Sequence, residues 1–216
     1  MSSLHDEFFI NVLNVVAILI SWVIIMNDIS LDTKTTALVV IDLQKGIVGM
    51  PFGAGAHSAA EVVLNAKKLV DAFRKNNMPV VLVHVQPSKH TALNPDVDTP
   101  MAMKDPPKDW AEFVPEMTPQ HTDIVIKKQQ WGAFYGTDLD LQLRRRGIKT
   151  IVLCGIATNI GVESTARFAY EFGYHQVFAE DAMTTWSLEQ HKTTIESIFK
   201  RIGRVRSTTE ILNGLR

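Results

Sequence analysis

Three apolar runs in this sequence end in residues that can carry charge or move protons. "VVID" ends at Asp42, "VIKK" ends at Lys127 and Lys128, and "TIVLCG" runs into "IATNIGVES", where a turn gives way to a helix near Ile160. A carboxylate at a strand end also serves as an ordinary turn cap, and an exposed lysine there is common. Together they offer an acid and a cation to tune it. The first helical turn adds free N–H groups, which favour negative charge. Successive strand residues point to opposite faces, so only one of Lys127 and Lys128 is expected to meet Asp42. Asn159 reads as the helix N-cap, and Gly161 leaves room for water or a substrate to approach the backbone. An α/β hydrolase places its nucleophile at such a junction, yet here the position holds glycine. Cys154, the single cysteine, lies seven residues earlier inside the strand, where a lone cysteine behaves as a small buried hydrophobe.

The elements that must position these residues alternate along the chain. Strand-length apolar runs cover Ala37–Ile41, Val80–Val85, Ile124–Ile126, Thr150–Cys154, Gln176–Ala179 and Arg204–Arg206. Between them lie "SAAEVVLNAKKLVDAFRKNN", "TDLDLQLRRRG", "IGVESTARFAYEFG" and "LEQHKTTIESIFKRIG", three of which end at Gly147, Gly173 and Gly203. Glycine is a common helix stop. In the first helix Val62, Ala66, Leu69, Val70 and Phe73 fall on one stripe. Strand–helix alternation with continuously apolar strands predicts an α/β fold of three layers, α/β/α, around a mostly parallel, roughly six-stranded, Rossmann-like sheet. Such sheets bind ligands beyond the C-terminal ends of their strands, which is where Asp42, one of Lys127 and Lys128, and Gly161 stand. Residues 86–122 break the rhythm with seven of the nine prolines. Only "DWAEF" within them reads as briefly helical. A long irregular segment leaving a strand end reads as a lid over the site, the alternative being a surface insertion.

Composition narrows the classes. With 22 basic and 23 acidic residues the formal charge is −1, which argues against nucleic-acid binding, since that needs a basic face. "RRR" at 144–146 closes a helix, where cations suit the dipole. One cysteine permits no internal disulfide and fits a reducing, cytoplasmic setting. Phe8–Met26 is apolar over the roughly 17–25 residues that a membrane helix needs, but has no Lys or Arg before it and no visible cleavage site. Residues 1–26 are therefore read as a hydrophobic extension outside the working protein, with a membrane anchor as the alternative, and 27–216 as the domain. A chain beginning at Met26 is expected to be soluble, folded and as active as the longer form. Retention in membranes through a high-salt wash, with activity lost on deleting residues 1–25, would reverse that reading.

"ALVVIDLQ", "IVIKKQQWGAFYGTDLDLQLRRRGI", "VLCGIATNIGVESTARFA" and "AEDAMTT" resemble the isochorismatase-like hydrolases, a superfamily that includes nicotinamidases and other cysteine hydrolases. The resemblance runs from about Thr35 to Leu212. It is nearest to bacterial isochorismatase-family proteins with similar "QWGAFYGTDL" text. It implies an Asp, a Lys and, in the amide hydrolases, a Cys, falling here on Asp42, Lys128 and Gly161. It implies a cis peptide from Ile156 to Ala157, and an oxyanion site at Ala157 and Gly161. Isochorismatases of the superfamily also carry glycine at the cysteine position and hydrolyse a vinyl ether, with the Asp protonating the substrate. The missing cysteine thus changes the chemistry expected and is no argument against an enzyme.

Gln86 in "VQP" matches isochorismatase text from the substrate pocket, and Trp131 and Phe134 are candidate pocket aromatics, with Tyr135 beside them; aromatic core or subunit packing is the alternative. Two features oppose isochorismate itself. No arginine lies between Arg74 and Arg144, and Lys89, Lys104 or Lys108 lack its bidentate fork. Ala157 also stands where isochorismatases carry tyrosine. No cofactor is expected. The nicotinamidase metal motif has Ser88 in place of its Asp, and His84 and His90 alone are a weak metal signal. Expected partners are a small-molecule substrate and further copies of the chain. The competing class is a non-catalytic binding or oligomer-partner protein, which has no chemical reason to keep both Asp42 and Lys128. An amidase with a substitute nucleophile stands third.

Overall fold

Strand runs rich in β-branched residues, with helices that hide one stripe each, produce six parallel strands in a single sheet. The computed structural model describes residues 29–216 except 54, 87–92, 94 and 100–105. The hydrophobic segment 1–26 lies outside the described residues, as do Pro87, Lys89, His90 and Lys104. In chain order the elements are β1 (Thr36–Ile41), α1 (Lys45–Val48), α2 (Ala59–Lys75), β2 (Val80–Val85), β3 (Ile124–Lys128), α3 (Leu139–Arg145) and β4 (Thr150–Ile156). A π-helical turn, Thr158–Val162, leads into α4 (Glu163–Glu171). Then come β5 (His175–Thr184), α5 (Leu188–Thr194) continued by a second π turn (Ile195–Phe199) into α6 (Lys200–Ile202), β6 (Arg204–Arg206) and α7 (Thr208–Asn213). Residues Leu31–Arg216 form one unit. No helix among the described residues is long and apolar enough to cross a membrane.

The sheet order is β3-β2-β1-β4-β5-β6, and every pairing is parallel. The chain adds strands to one side of β1 and then to the other, so β1 and β4 flank the switch point where such sheets open a crevice. Asp42 follows β1 directly, and the π turn follows β4. Gly155 lets β4 come close at this point. Its φ is +117°, and a Cβ there would lie 2.0 Å from the Ile41 carbonyl oxygen, so a side chain has no room.

The stripe of α2 is buried at Val62, Ala66, Leu69, Val70 and Phe73, as its spacing implied. Ser58 caps this helix reciprocally: its side chain accepts from the Glu61 N–H, and the Glu61 carboxylate accepts from the Ser58 N–H. Ser58→Ala is expected to lower stability by about 1 kcal/mol, read as a shifted urea midpoint with an unchanged slope.

Several boundaries differ from the sequence reading. β3 extends to Lys128, β4 to Ile156 and β5 to Thr184. In β5 the charged Glu180 and Asp181 interrupt the apolar run, which conceals the continuation. Asp181 is satisfied locally, accepting from the Thr208 N–H and hydroxyl at 2.7 Å each. α7 adds a helix beyond the sequence expectation, opened by a capping box of Ser207 and Glu210. "DWAEF" is not helical; it makes turns and then a bridge from Phe113 to Gln44. Its backbone is engaged at long range instead, with the Trp110 carbonyl accepting from Gln44 and the Glu112 carbonyl from the Lys45 N–H.

Candidate active site

The carboxylate at the end of β1 is held in an unusual backbone. Asp42 has φ +53°, a left-handed conformation that costs a non-glycine residue about 1–2 kcal/mol. Its N–H donates to the Val83 carbonyl, which fixes the residue between β1 and β2. At the end of β3 burial alternates, with Lys127 exposed and Lys128 buried, so the lysine that turns inward is Lys128. Lys128 Nζ lies 2.7 Å from Asp42 Oδ2, the two side chains being 2% and 7% exposed.

Lys128 is fully committed. An ammonium has three donors, and here they meet Asp42 Oδ2, the Gln130 carbonyl at 3.2 Å and the Trp131 carbonyl at 2.8 Å. The lysine is thereby a fixed clamp on one carboxylate oxygen. The other oxygen, Oδ1, is buried and has no hydrogen-bond partner among the described residues. Burial pushes the Asp42 pKa above its ordinary value, outweighing the opposing pull of the Lys128 charge and hydrogen bond. Burial of this kind favours the protonated form of a carboxyl, as a general acid requires.

The π turn brings Gly161 to the same place. A Cβ at position 161 would stand 3.1 Å from Asp42 Oδ2, 3.5 Å from Lys128 Nζ and 3.0 Å from Ile41 Cγ2. The position that lacks a side chain is the one facing the acid and the lysine. The peptide from Ile156 to Ala157 is cis. The Gly161 carbonyl accepts from Thr165 Oγ1 at 2.7 Å, and the same hydroxyl accepts from the Ala133 N–H at 3.0 Å, tying the turn to the loop after β3. Asn159 differs from its sequence reading. It is not an N-cap; its Oδ1 accepts from the Thr185 hydroxyl at 2.6 Å, and Ala157 occupies the cap position with no side-chain bond.

The remaining candidates spread around this centre. Phe134 is buried, 5.3 Å from the exposed Phe172 and 5.9 Å from the buried Tyr174 between ring centroids. Trp131 is 57% exposed and contributes its carbonyl to Lys128. Gln86 lines a cleft of about 430 Å³ with His84, Lys108, Glu112, Phe113 and Thr118. Asp42, Lys128 and Gly161 do not line that cleft. His84 Nδ1 is 2.8 Å from the Ala111 carbonyl, and Gln44 ties Val85 to Trp110 through both ends of its amide.

One cluster escaped the sequence reading. His57, Glu180 and His191 come together before α2, within β5 and on α5, with both His Nε2 atoms 3.0 Å from Glu180 Oε1. His191 Nδ1 lies 2.9 Å from Thr158 Oγ1 at the start of the π turn. The first two members are 123 positions apart in sequence, so no local spacing marks it.

An isochorismatase domain model matches residues 36–210, which contain the whole of this arrangement. The chain belongs to the isochorismatase-like hydrolase family. It is 55% identical to the isochorismatase family protein YwoC of Bacillus subtilis, over 87% of this chain and 97% of the relative. An isochorismatase family protein from Burkholderia thailandensis superposes with a TM-score of 0.80 at 45% identity, covering 86% of this chain and 97% of that one. A ureidoacrylate amidohydrolase from Agrobacterium fabrum is 32% identical, over 71% of this chain and 78% of its own length. The isochorismatase-like hydrolase is thus an enzyme whose all-parallel α/β fold matches that of its family.

Proposed function

We infer that this hydrolase uses Asp42 as a general acid, without an enzymic nucleophile, and that its substrate class is small vinyl ethers. The observation that carries the reading is the buried Asp42–Lys128 pair, 2.7 Å apart, set against a position 161 with no side chain. The acid holds a proton; the adjacent space admits water or the reacting carbon.

The steps balance with these groups alone. Protonated Asp42 gives its proton to the terminal carbon of the C=C–O unit, and the ether carbon becomes an oxocarbenium ion. Water adds to that carbon and returns a proton to the Asp42 carboxylate. The hemiketal then separates into a carbonyl compound and an alcohol, and the carboxyl regains its starting state. Lys128 fixes the orientation of the carboxyl and limits the charge it carries between the two proton transfers. Ala157 and Gly161 supply backbone N–H groups for an anionic part of the substrate. Gln86 and Trp131 are assigned to the substrate pocket on the family resemblance, Gln86 from a cleft that Asp42, Lys128 and Gly161 do not line, and Phe134 supports it from the core.

Amides enter the test because one relative is named as an amidohydrolase, while position 161 offers no thiol. The experiment is a hydrolysis screen over vinyl ethers, amides and esters with Asp42→Asn alongside. Vinyl-ether turnover that disappears in the variant is expected. A panel in which the wild type hydrolyses only amides would replace this mechanism with an amidase using another nucleophile, and a panel with no turnover would favour a binding protein.

A further inference from the structure

The cluster beneath the π turn has the composition of a metal centre. His57, Glu180 and His191 each offer one ligand atom, and these atoms all lie within 4.8 Å of one another. The two Nε2–Oε1 separations are 3.0 Å, a few tenths of an ångström short of the roughly 3.3–3.6 Å between donors on a tetrahedral ion with bonds of 2.0–2.2 Å. We propose that His57, Glu180 and His191 bind one divalent ion of the zinc class, completed by water, which braces the turn carrying Thr158 and Gly161.

Three observations support the site. Two imidazoles and one carboxylate are a donor set that suits zinc-class ions. His191, with its side chain 2% exposed, has its second ring nitrogen 2.9 Å from Thr158 Oγ1, the outer partner that a ligating histidine needs to fix its tautomer. His57 and Glu180 are 26% and 34% exposed, which leaves an entry path and room for water. The backbone of His57 is anchored as well, its carbonyl accepting from Thr184 Oγ1 at 2.6 Å. When an ion enters, each Nε2 proton gives way to a lone pair, and His191 Nδ1–H donates to Thr158.

Occupancy is independent of the reaction at Asp42, so binding is tested directly. The full chain, stripped with chelator, is titrated with Zn²⁺ by calorimetry and with Co²⁺ by visible absorption. One ion per chain is expected, with a raised melting temperature. Glu180→Gln keeps the shape of the side chain and loses the charge, and His57→Ala removes a half-exposed ligand; each is expected to weaken binding at least about 10-fold. Thr158→Val, which touches only the outer partner, is expected to weaken it roughly 10–100-fold. His175→Ala, an exposed histidine elsewhere on β5, is expected to bind as the wild type does. No stoichiometric binding, or wild-type affinity in Glu180→Gln and His57→Ala, overturns the proposal and leaves the cluster a hydrogen-bonded brace.

Discussion

Asp42→Asn is expected to lower vinyl-ether turnover by a factor of roughly 10²–10⁴, the range that a positioned acid contributes. The substitution leaves the shape of the side chain unchanged. Lys128 retains the carbonyls of Gln130 and Trp131, so the ammonium keeps two of its three acceptors and the fold is expected to survive. Far-ultraviolet circular dichroism and a cooperative melt establish that survival before activity is compared. The loss is expected in kcat and kcat/KM together, because the proton transfer occurs only in the transition state.

The raised pKa of Asp42 adds a second readout with a definite sign. A carboxyl whose folded pKa lies above its ordinary value of 3.8 binds its proton more tightly in the folded chain than in the unfolded one. The stability this contributes is fully present below the unfolded pKa and is lost as pH rises through the folded pKa. Wild-type stability measured against Asp42→Asn therefore falls as pH rises above about 3.8, and kcat/KM falls across the same upper limb because the donor is lost. Urea melts and rate profiles on both proteins check this. Turnover in Asp42→Asn near the wild-type rate would leave Asp42 as a turn cap in a left-handed backbone.

How much of this was legible depended on whether the decisive contacts were local. The β1 run, apolar from Ala37 to Ile41, and the β2 run, interrupted only by His84, match the structure almost to the residue, because strands with little polar interruption leave a clear signal. β5 was read short because Glu180 and Asp181 sit inside it, and their partners, His57, His191 and Thr208, are distant in sequence. "DWAEF" carries helix-compatible residues, but its carbonyls are claimed by Gln44 and Lys45, so tertiary contacts override its local preference. At the site, strand alternation places Asp42 and one of Lys127 and Lys128 at one sheet edge, and the resemblance to the family selects Lys128. That Lys128 spends all three donors, and that Oδ1 is left unpaired, depends on the loop through Gln130 and Trp131. No periodicity reports that loop.

Gly161→Cys is expected to create a reactive thiol and, with it, weak amide hydrolysis. The new Cβ would touch Asp42 Oδ2 at 3.1 Å and Ile41 Cγ2 at 3.0 Å, so its neighbours must yield slightly, and overpacking of this kind costs about 1–3 kcal/mol. The thiol then lies beside Asp42, whose ionised form can take its proton, and a fixed cation that stabilises the thiolate. The background is clean: Cys154, the single native cysteine, is fully buried, and burial drives its thiol well above the ordinary range. Alkylation at neutral pH is therefore expected to label Gly161→Cys at one site and leave the wild type unlabelled. Amide substrates are expected to show a burst of acyl-enzyme followed by slow turnover, while vinyl-ether hydrolysis falls because sulfur fills the space that water needs. Adding Asp42→Asn removes the base from the new reaction and the donor from the old one, so both activities are expected to vanish in the double variant. A thiol at 161 as inert as Cys154 would show that the acid and the lysine do not activate this position. An unchanged vinyl-ether rate in Gly161→Cys would place the reacting water somewhere else.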